Sequence, residues 1–391
     1  MKFSETNETL TLYLEGRIDS SNVAQWEAEA NEAITAHPAP ALVLDCSDLL
    51  YISSAGLRMI LRMAKKEKDL KVVNVSREVY DIFDMTGFAD MLDVKRALRK
   101  LPVEDRPLIG QGSVGTIYRY DDETVLKVYR PQTPMEELIK ERERSQVAFV
   151  HGIPTAISYD IVQVGDCYGL LYELVPSGSM GSCVTREPER AEEYAVKFGE
   201  VLKLIHKLDI SSMELPDVTV GYARAVKNMA PHMTEQEYEL ALRWLDAMPK
   251  GSTLLHGDFH PKNIMVQNGE PLLIDMGDIC LGHPLYDIAI AYFVIMLLPE
   301  ERAAKASGIP RACARRFWDT FMRTYFETDD PAVLAEKEAV IESAAWLRMI
   351  VAYGISNSFP PELIKQRYQD LRERAFPRAD ELIERLKNVD F

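Results

Sequence analysis

The first hundred residues alternate between short apolar runs and amphipathic stretches. Residues 10–16, LTLYLEG, alternate apolar and polar side chains as a half-buried strand does. ALVLDC at 41–46 and KVVNV at 71–75 are short apolar runs typical of buried strands. Helical periodicity follows each strand, at 20–36, at 55–66 and in SREVYDIFDMTG. Strands that alternate with helices predict a small α/β domain, which we place at residues 1–98.

The pattern changes after residue 98. LRKLPVEDRPLIG, at 98–110, is charged, contains two prolines and breaks the periodicity, so we expect a linker at 99–107. Strand-like, glycine-rich sequence follows to residue 175, and helical patterns then dominate apart from a segment around 253–280. This order predicts a bilobal α+β domain at 108–391, with an N-lobe at about 108–175 and a larger helical C-lobe at about 176–391.

Composition narrows the classes of partner and compartment. The formal net charge of −16, with no basic cluster interleaved with aromatics, argues against a nucleic-acid partner. No apolar run is long enough to cross a bilayer, and the N-terminal residues lack the apolar region of a signal peptide. Five scattered cysteines without metal spacing fit reduced thiols. We therefore expect a cytoplasmic protein with no membrane or nucleic-acid partner, and the composition carries no information on its oligomeric state.

The strongest chemical signal is LLHGDFHPKNIMVQNGEPLLIDMGD at 254–278. Asp258 and Asn263 lie five residues apart in a turn, and Asp275 follows a short hairpin with Asn-Gly at its tip. Phosphoryl transfer needs a carboxylate that orients or accepts the proton of an attacking hydroxyl. It also needs oxygen ligands that hold Mg²⁺ against the phosphates. The spacing predicts Asp258 as the base and Asn263 with Asp275 as the metal ligands.

The sequence upstream supplies the complementary half of such a site. GQGSVGTIY places Gly110, Gly112 and Gly115 between strand-like residues, as in a hairpin over the phosphates of ATP. Lys127 follows on the next strand, where its amine would neutralise the α- and β-phosphates. YELV at 172–175 is expected to join the lobes, with the backbone of Glu173 and Val175 against the adenine.

The carboxylate partner of Lys127 is sought on the following helix, MEELIKERERSQVAFV. With Val147 and Val150 facing the core, Glu143 would turn towards Lys127. Three rival glutamates at 136, 137 and 141 are then placed on a solvated face. Taken singly, Lys127 is equally well explained as a surface lysine and Glu143 as a solvated residue. Their joint order and spacing favour a kinase-like site.

The region from about 105 to 385, with HGDFHPKN and IDMGD, resembles the aminoglycoside phosphotransferase and choline kinase-like group, which has a protein kinase-like fold. Protein kinases of the eukaryotic type usually carry lysine where this chain has His260, and the eleven residues between Asp275 and Asp287 leave no room for their activation segment. The resemblance implies a constitutively assembled site whose acceptor is often a small alcohol.

The N-terminal unit resembles the STAS domain of anti-sigma factor antagonists. The resemblance covers residues 3–97 and rests on LEGRIDSSN, LVLDCSDLLYISSAGLR and VVNVSREVYDIFDMTGF. Ser54 stands two residues before Gly56, where that family carries its phosphorylated serine, although the preceding aspartate of the family is Ser53 here. Ser54 is therefore either a regulated phosphate acceptor or a helix N-cap on a protein-binding module.

These signals leave three functions to weigh. The leading one is ATP- and Mg²⁺-dependent phosphoryl transfer to a small hydroxyl-bearing molecule, with the STAS domain for regulation or protein docking. The second is a protein-serine kinase whose acceptor is a STAS serine such as Ser54. The third is a nucleotide-sensing interaction protein with little turnover, which the intact set of Asp258, Asn263 and Asp275 disfavours.

Overall fold

The computed structural model describes residues 1–391 except 7, 68, 113, 209–214, 356–360, 388, 390 and 391. The chain divides into two compact units, Met1–Leu101 and Pro102–Phe391. Each has its own apolar core, and each is described by itself.

The first unit is an α/β domain, as predicted. Its elements are β1 (Lys2–Glu5), β2 (Thr9–Ile18), α1 (Val23–Ala36), β3 (Ala41–Ile52), α2 (Ser54–Lys66), β4 (Leu70–Val75), α3 (Arg77–Met85), β5 (Asp93–Arg96) and the short β6 (Arg99–Lys100). A five-stranded sheet has the order β1-β2-β3-β4-β5, antiparallel between β1 and β2 and parallel thereafter. Alternating leucines of β2 and β3 are buried against the helices, as the period-two pattern predicts.

The second unit begins with a strand-rich lobe. Its elements are β7 (Leu108–Gln111), β8 (Gly115–Arg119), β9 (Thr124–Tyr129), α4 (Met135–Val150), β10 (Ser158–Val164) and β11 (Cys167–Glu173). The strands β10, β11, β9, β8 and β7 lie in that order, and neighbours pair antiparallel. The central strand β9 carries Lys127, and α4 packs on β10 and β11, so the helix and the lysine belong to one layer pair.

A larger helical lobe follows. Its helices are α5 (Met180–Arg186), α6 (Ala191–Lys207), α7 (Val218–Met229), α8 (Glu235–Ala247), α9 (Leu285–Tyr292), α10 (Glu300–Ser307), α11 (Arg311–Phe326), α12 (Pro331–Ile355), α13 (Pro361–Arg374) and α14 (Ala379–Arg385). Two small antiparallel strand pairs, β12 (Thr253–Leu255) with β15 (Cys280–Gly282) and β13 (Ile264–Gln267) with β14 (Glu270–Leu273), interrupt them. The expected bilobal α+β architecture with a large helical C-lobe is confirmed.

The predicted Asn-Gly hairpin joins β13 to β14. Asn268 and Gly269 both have positive φ, 53° and 84°, as a two-residue type I′ turn requires. The turn brings the chain back antiparallel, so the residues after β14 return to those before β13. This short hairpin therefore places Asp275 beside Asn263.

All five cysteines are free thiols, and four of them are buried. In the described part of the chain, no helix combines the length and apolar character that crossing a membrane requires.

Candidate active site

A buried aspartate, Asp287, anchors the loop that carries Asp258. The backbone N–H groups of His256 and Gly257 donate to the Asp287 carboxylate at 2.7 and 2.9 Å. Gly257 has φ +83°, and a Cβ there would lie 2.1 Å from the Asp278 carbonyl oxygen. Glycine is therefore required on both counts, because other residues disfavour this φ and would also collide. Asp287, from the start of α9, fixes the loop and not the reacting groups.

Asp258 is a half-buried carboxylate surrounded by donors. Asn263 Nδ2 donates to its backbone oxygen at 2.9 Å and to Oδ2 at 3.3 Å. His260 Nε2 lies 3.4 Å from Oδ2, and Arg348 Nη2 lies 3.5 Å from Oδ1. Desolvation alone would raise the pKa of Asp258, but His260 and then Arg348 hold it below its ordinary value. The carboxylate is thus ionised at neutral pH, as a proton acceptor must be.

Lys127 bridges two carboxylates that come from different lobes. Its Nζ donates to Glu141 Oε1 and to Asp275 Oδ1, both at 2.8 Å, and the lysine is buried. Burial alone would lower the pKa of Lys127, but Asp275 and Glu141 outweigh it and raise the pKa. The ammonium group therefore stays charged next to the position where phosphates would lie.

Glu143 is not the partner of Lys127, and this expectation was wrong. Glu141 makes the contact, while Glu143 is exposed. The buried face of α4 contains Leu138, Ser145 and Ala148, whereas Val150 is exposed. Glu141 is three residues after Leu138 and four before Ser145, so it shares that face.

Asp275 adopts a left-handed backbone conformation, with φ 62° and ψ 54°. Ile274 N–H donates to the Asn263 carbonyl at 2.9 Å, which fastens the segment before Asp275 to the end of the Asp258 loop. A non-glycine residue in this region is uncommon, and such strain concentrates at functional sites. The structure thus brings together Asp258, Asn263, Asp275 and Lys127.

The glycine-rich segment is a β-hairpin, as expected. Gly110 pairs with Ile117 across β7 and β8, and Gly112 N–H donates to the Gly115 carbonyl at 2.9 Å. A Cβ on Gly115 would lie 2.3 Å from the Val128 carbonyl oxygen, so only glycine allows β8 to approach β9 there. Because β9 carries Lys127, this close approach sets the hairpin directly beside the lysine.

The segment that joins the lobes begins at the end of β11. Glu173 N–H donates to the Ile157 carbonyl at 2.9 Å, and Leu174 N–H donates to the Glu123 carbonyl at 2.7 Å. Val175 is buried, and its carbonyl accepts from Ser177 N–H at 2.8 Å. Tyr172, which directly precedes Glu173, donates a hydrogen bond from its hydroxyl to Glu141 Oε1 at 2.5 Å.

The residues proposed to hold magnesium supply hard oxygen donors. Asn263 directs its amide nitrogen at Asp258, which leaves its side-chain oxygen as the donor for a cation. The pKa of Asp278 is raised to about 6, first by desolvation and then by the charges of Asp258, Asp275 and Glu141. Such crowding of carboxylates favours a divalent cation. Within the described residues no group of three or more His, Cys, Asp and Glu side chains is placed to hold a metal ion by itself.

Comparison with known proteins shows the family of this chain. The model of the phosphotransferase enzyme family matches residues 104–316, which is more than half of the chain. The chain belongs to the phosphotransferase enzyme family. It is therefore a kinase-type phosphotransferase, and the STAS domain model matches its residues 1–101.

Individual relatives resemble parts of this phosphotransferase. A putative anti-sigma factor antagonist, BtrV of Bordetella bronchiseptica, is 34% identical over 85 residues, which are 21% of this chain and 72% of that protein. The GDP complex of a variant of aminoglycoside 2'-phosphotransferase-IIIa is 15% identical, covers 78% of this chain and 98% of its own, and has a TM-score of 0.50. A choline/ethanolamine kinase family protein from Mesorhizobium loti is 11% identical, with 72% and 92% covered and a TM-score of 0.48. At 15% identity the first of these two solved structures shows the fold alone.

Two residues of the phosphotransferase site are absent from the sequence-based prediction. Glu141 is one of the rival glutamates that the sequence analysis assigns to a solvated face, and Arg348 is not among the predicted site residues. A signal for Arg348 does exist, because it is a lone charge in the run SAAWLRMIVAYG. A charged residue in an apolar run is almost never fully buried unless it is paired.

Ser54, in the STAS domain, is exposed and is the first residue of α2. The capping role belongs to Ser53, whose hydroxyl accepts from Gly56 N–H at 3.4 Å. Ser54 is thus not the N-cap, and its phosphorylation stays a prediction.

Proposed function

We propose that this phosphotransferase moves the γ-phosphoryl group of ATP to a hydroxyl group of a small molecule. The observation that carries the proposal is the bridge from Lys127 to Glu141 and Asp275. A buried lysine held by one acid from each lobe is the arrangement that phosphoryl transfer uses to bind and align phosphates.

The residues divide the work by their chemistry. Gly110, Gly112 and Gly115 would cover the phosphates, Lys127 would neutralise them, and the backbone at Glu173 and Val175 would hold the adenine. Magnesium, when bound by Asn263 and Asp275, supplies charge stabilisation on the transferred group. The acceptor oxygen attacks the γ-phosphorus, its proton passes to Asp258, and ADP leaves with the bridging oxygen.

The experiment that tests this function is an acceptor screen. ADP release from ATP, and from GTP in parallel, is followed with panels of alcohols in the wild type and in Asp258→Asn. We expect acceptor-dependent turnover that falls by about a thousandfold in the variant, because general-base catalysis contributes on this order. Asp246→Asn, an exposed aspartate of α8, is the matched control and should keep wild-type turnover. ATP binding without acceptor-dependent turnover by any alcohol would favour the nucleotide-sensing alternative.

The exposure of Ser54 at the start of a helix favours a second acceptor, a protein serine. Peptide mass spectrometry after incubation with ATP and Mg²⁺ tests it in wild type, Ser54→Ala and Asp258→Ala. A phosphate on Ser54 that is absent from both variants would establish a self-modifying protein. The STAS domain would in either case serve regulation or docking, and its exposed Leu50 and Met85 are suited to a protein partner.

A further inference from the structure

Arg348 lies on a helix that is otherwise a packing element. The buried positions of α12 run from Ile341 to Gly354, and Arg348 is the charged residue among them. A guanidinium group is strongly hydrated in water, so its burial costs free energy unless its donors are satisfied. The position of Arg348 inside the lobe therefore requires a compensating acceptor.

The protein satisfies this arginine only in part. Nη2 lies 3.5 Å from Asp258 Oδ1, at the limit of a hydrogen bond, while Nε and Nη1 are buried without a partner among the described residues. Arg315, on α11, shows the contrast: three of its nitrogens bond the carboxylates of Asp319 and Glu338. If Arg348 served only to hold Asp258, its remaining donors would be expected to bind the protein as well.

Two tyrosine hydroxyls, one of them beside Arg348, are also unsatisfied. Tyr222, from α7, and Tyr286, from α9, pack edge to face with ring centroids 4.9 Å apart. Both hydroxyls are buried and lack a partner within the described chain. Burial raises the pKa of Tyr222, and the charge of Arg348 opposes that rise, so the two side chains are electrostatic neighbours. The unsatisfied donors of Arg348 on α12 and of its neighbour Tyr222 on α7 are thus left for a group that accepts hydrogen bonds.

The same contacts indicate the charge of the molecule that would accept the phosphoryl group. A cationic acceptor molecule would meet the positive charge of Arg348 beside the base and leave its donors unpaired. An oxyanion would take two parallel hydrogen bonds from the guanidinium fork, the pairing for which arginine is best suited. It would also release Asp258 from Arg348, so the base would be freed when the acceptor binds.

We propose that the phosphoryl acceptor is an anionic alcohol, a hydroxy acid or a phosphorylated alcohol, whose carboxylate or phosphate is bound by Arg348 while its hydroxyl faces Asp258. This inference rests on the proposed function, since it names the class of molecule that the same site phosphorylates. Both kinds of acceptor share the same chemistry, because each carries an oxyanion and a hydroxyl group in one small molecule.

The test is a titration of oxyanions into the full-length protein. The nucleotide site is first filled with a non-hydrolysable ATP analogue and Mg²⁺, so that the γ-phosphate position is occupied. Inorganic phosphate and acetate are then titrated by calorimetry into wild type, Arg348→Met and Arg348→Lys. Arg224→Met, an exposed arginine of α7, is the matched control.

We expect one oxyanion to bind the wild type and the Arg224 variant equally, about tenfold or more weakly to Arg348→Met, and with intermediate affinity to Arg348→Lys. Preference for phosphate would indicate a phosphorylated alcohol, and preference for acetate a hydroxy acid. The inference is overturned if neither oxyanion binds the wild type, if Arg348→Met binds as tightly, or if amino-alcohols are phosphorylated and anionic alcohols are not. Failure of the ATP analogue to bind would count against the proposed function instead, and the comparison of Arg348 variants would still decide the inference.

Discussion

Lys127 is held by two acids with different roles. Glu141 is largely buried, whereas the Asp275 side chain is 40% exposed. The buried pair fixes the position of the ammonium group, and the exposed acid remains accessible to a cation. A geometry of this kind is assembled before the nucleotide arrives, which lowers the reorganisation needed during transfer.

Replacing Glu141 should therefore damage catalysis while leaving the fold. For Glu141→Gln we expect kcat/KM for ATP to fall by about tenfold to a hundredfold, because Lys127 loses the charge that positions it. Steady-state ADP release measures the effect.

Glu143→Gln, two residues away on the exposed side of α4, is the matched control, and its activity should stay within about twofold of wild type. Equal losses in the two variants would contradict the assignment of Glu141.

At this scale the sequence predicted the residues fixed by local spacing. Asp258, Asn263, Asp275 and Lys127 lie in turns or strands whose geometry is set by neighbours in the chain, and the structure brings them together. Glu141 and Arg348 depend on which face of a helix is buried. The sequence of α4 has charges on every side, so its phase is decided by tertiary packing rather than by its own pattern.

Helices α7 and α12 pack closely enough to make one glycine indispensable. A Cβ on Gly354 would lie 2.0 Å from the Ala225 carbonyl oxygen, a backbone atom that cannot rotate away. Asn228 Nδ2 also donates to the Gly354 carbonyl at 3.0 Å, so the two helices are bonded at the crossing. The same contact pair contains Tyr222 and Arg348, on α7 and α12.

Alanine should accordingly have opposite effects at two helical glycines. Gly354→Ala should lower the free energy of unfolding by about 2 kcal/mol through overpacking. Gly221→Ala, in an open position on α7, should raise it by about 0.5–1 kcal/mol through helix propensity. Denaturant unfolding of both variants measures the difference, and a stabilised Gly354 variant would refute the close crossing.

The start of α9 gives the fold a dependence on pH. His283 Nδ1 accepts from Leu285 N–H at 3.2 Å, and the pKa of His283 is lowered from 6.5 to about 4, first by burial and then by His206. His283 therefore takes up a proton near pH 6.5 in the unfolded chain and only near pH 4 in the folded chain. Stability contributed by neutral His283 is present above pH 6.5 and is lost as the pH falls towards 4.

His283→Asn keeps an acceptor at this position but does not titrate. Its melting temperature should fall less steeply than that of wild type between about pH 6.5 and 4. His232→Asn, an exposed histidine, should keep the wild-type slope. Parallel slopes for wild type and His283→Asn would exclude the histidine as the source.

Elements with a local signature were predicted well. The Asn-Gly turn and the glycine-rich hairpin carry their backbone requirement in the residues themselves, and both are confirmed. The packing of α12 required knowledge of α7, because nothing near Gly354 in the sequence indicates a crossing helix.

The whole molecule contains two cores that are built from separate parts of the chain. Leu12, Leu44 and Phe83 belong to the first, and Phe198 and Trp318 to the second. Domains with their own cores fold independently as a rule. Alternating strands and helices indicated the first unit, and strand-like sequence followed by helical patterns indicated the second. Hydrophobic periodicity reports on each core without reference to the other.

Residues 102–391, produced alone, should therefore fold and bind the ATP analogue with an affinity within about threefold of the full chain, as expected for independent domains. Circular dichroism and calorimetry measure the two properties. Loss of cooperative unfolding in this fragment would show that the kinase-like unit depends on the STAS domain.

The Tyr172 hydroxyl, Glu141, Lys127 and Asp275 form one unbroken line of hydrogen bonds and ion contacts. Its first member directly precedes the segment proposed to bind adenine, and its last is a proposed ligand of the metal at the phosphates. ATP would thus contact both ends of this line. We therefore expect the adenosine and phosphate parts of ATP to bind cooperatively. The affinity of ATP should exceed the combined affinities of adenosine and inorganic triphosphate by more than the usual gain from linking two ligands.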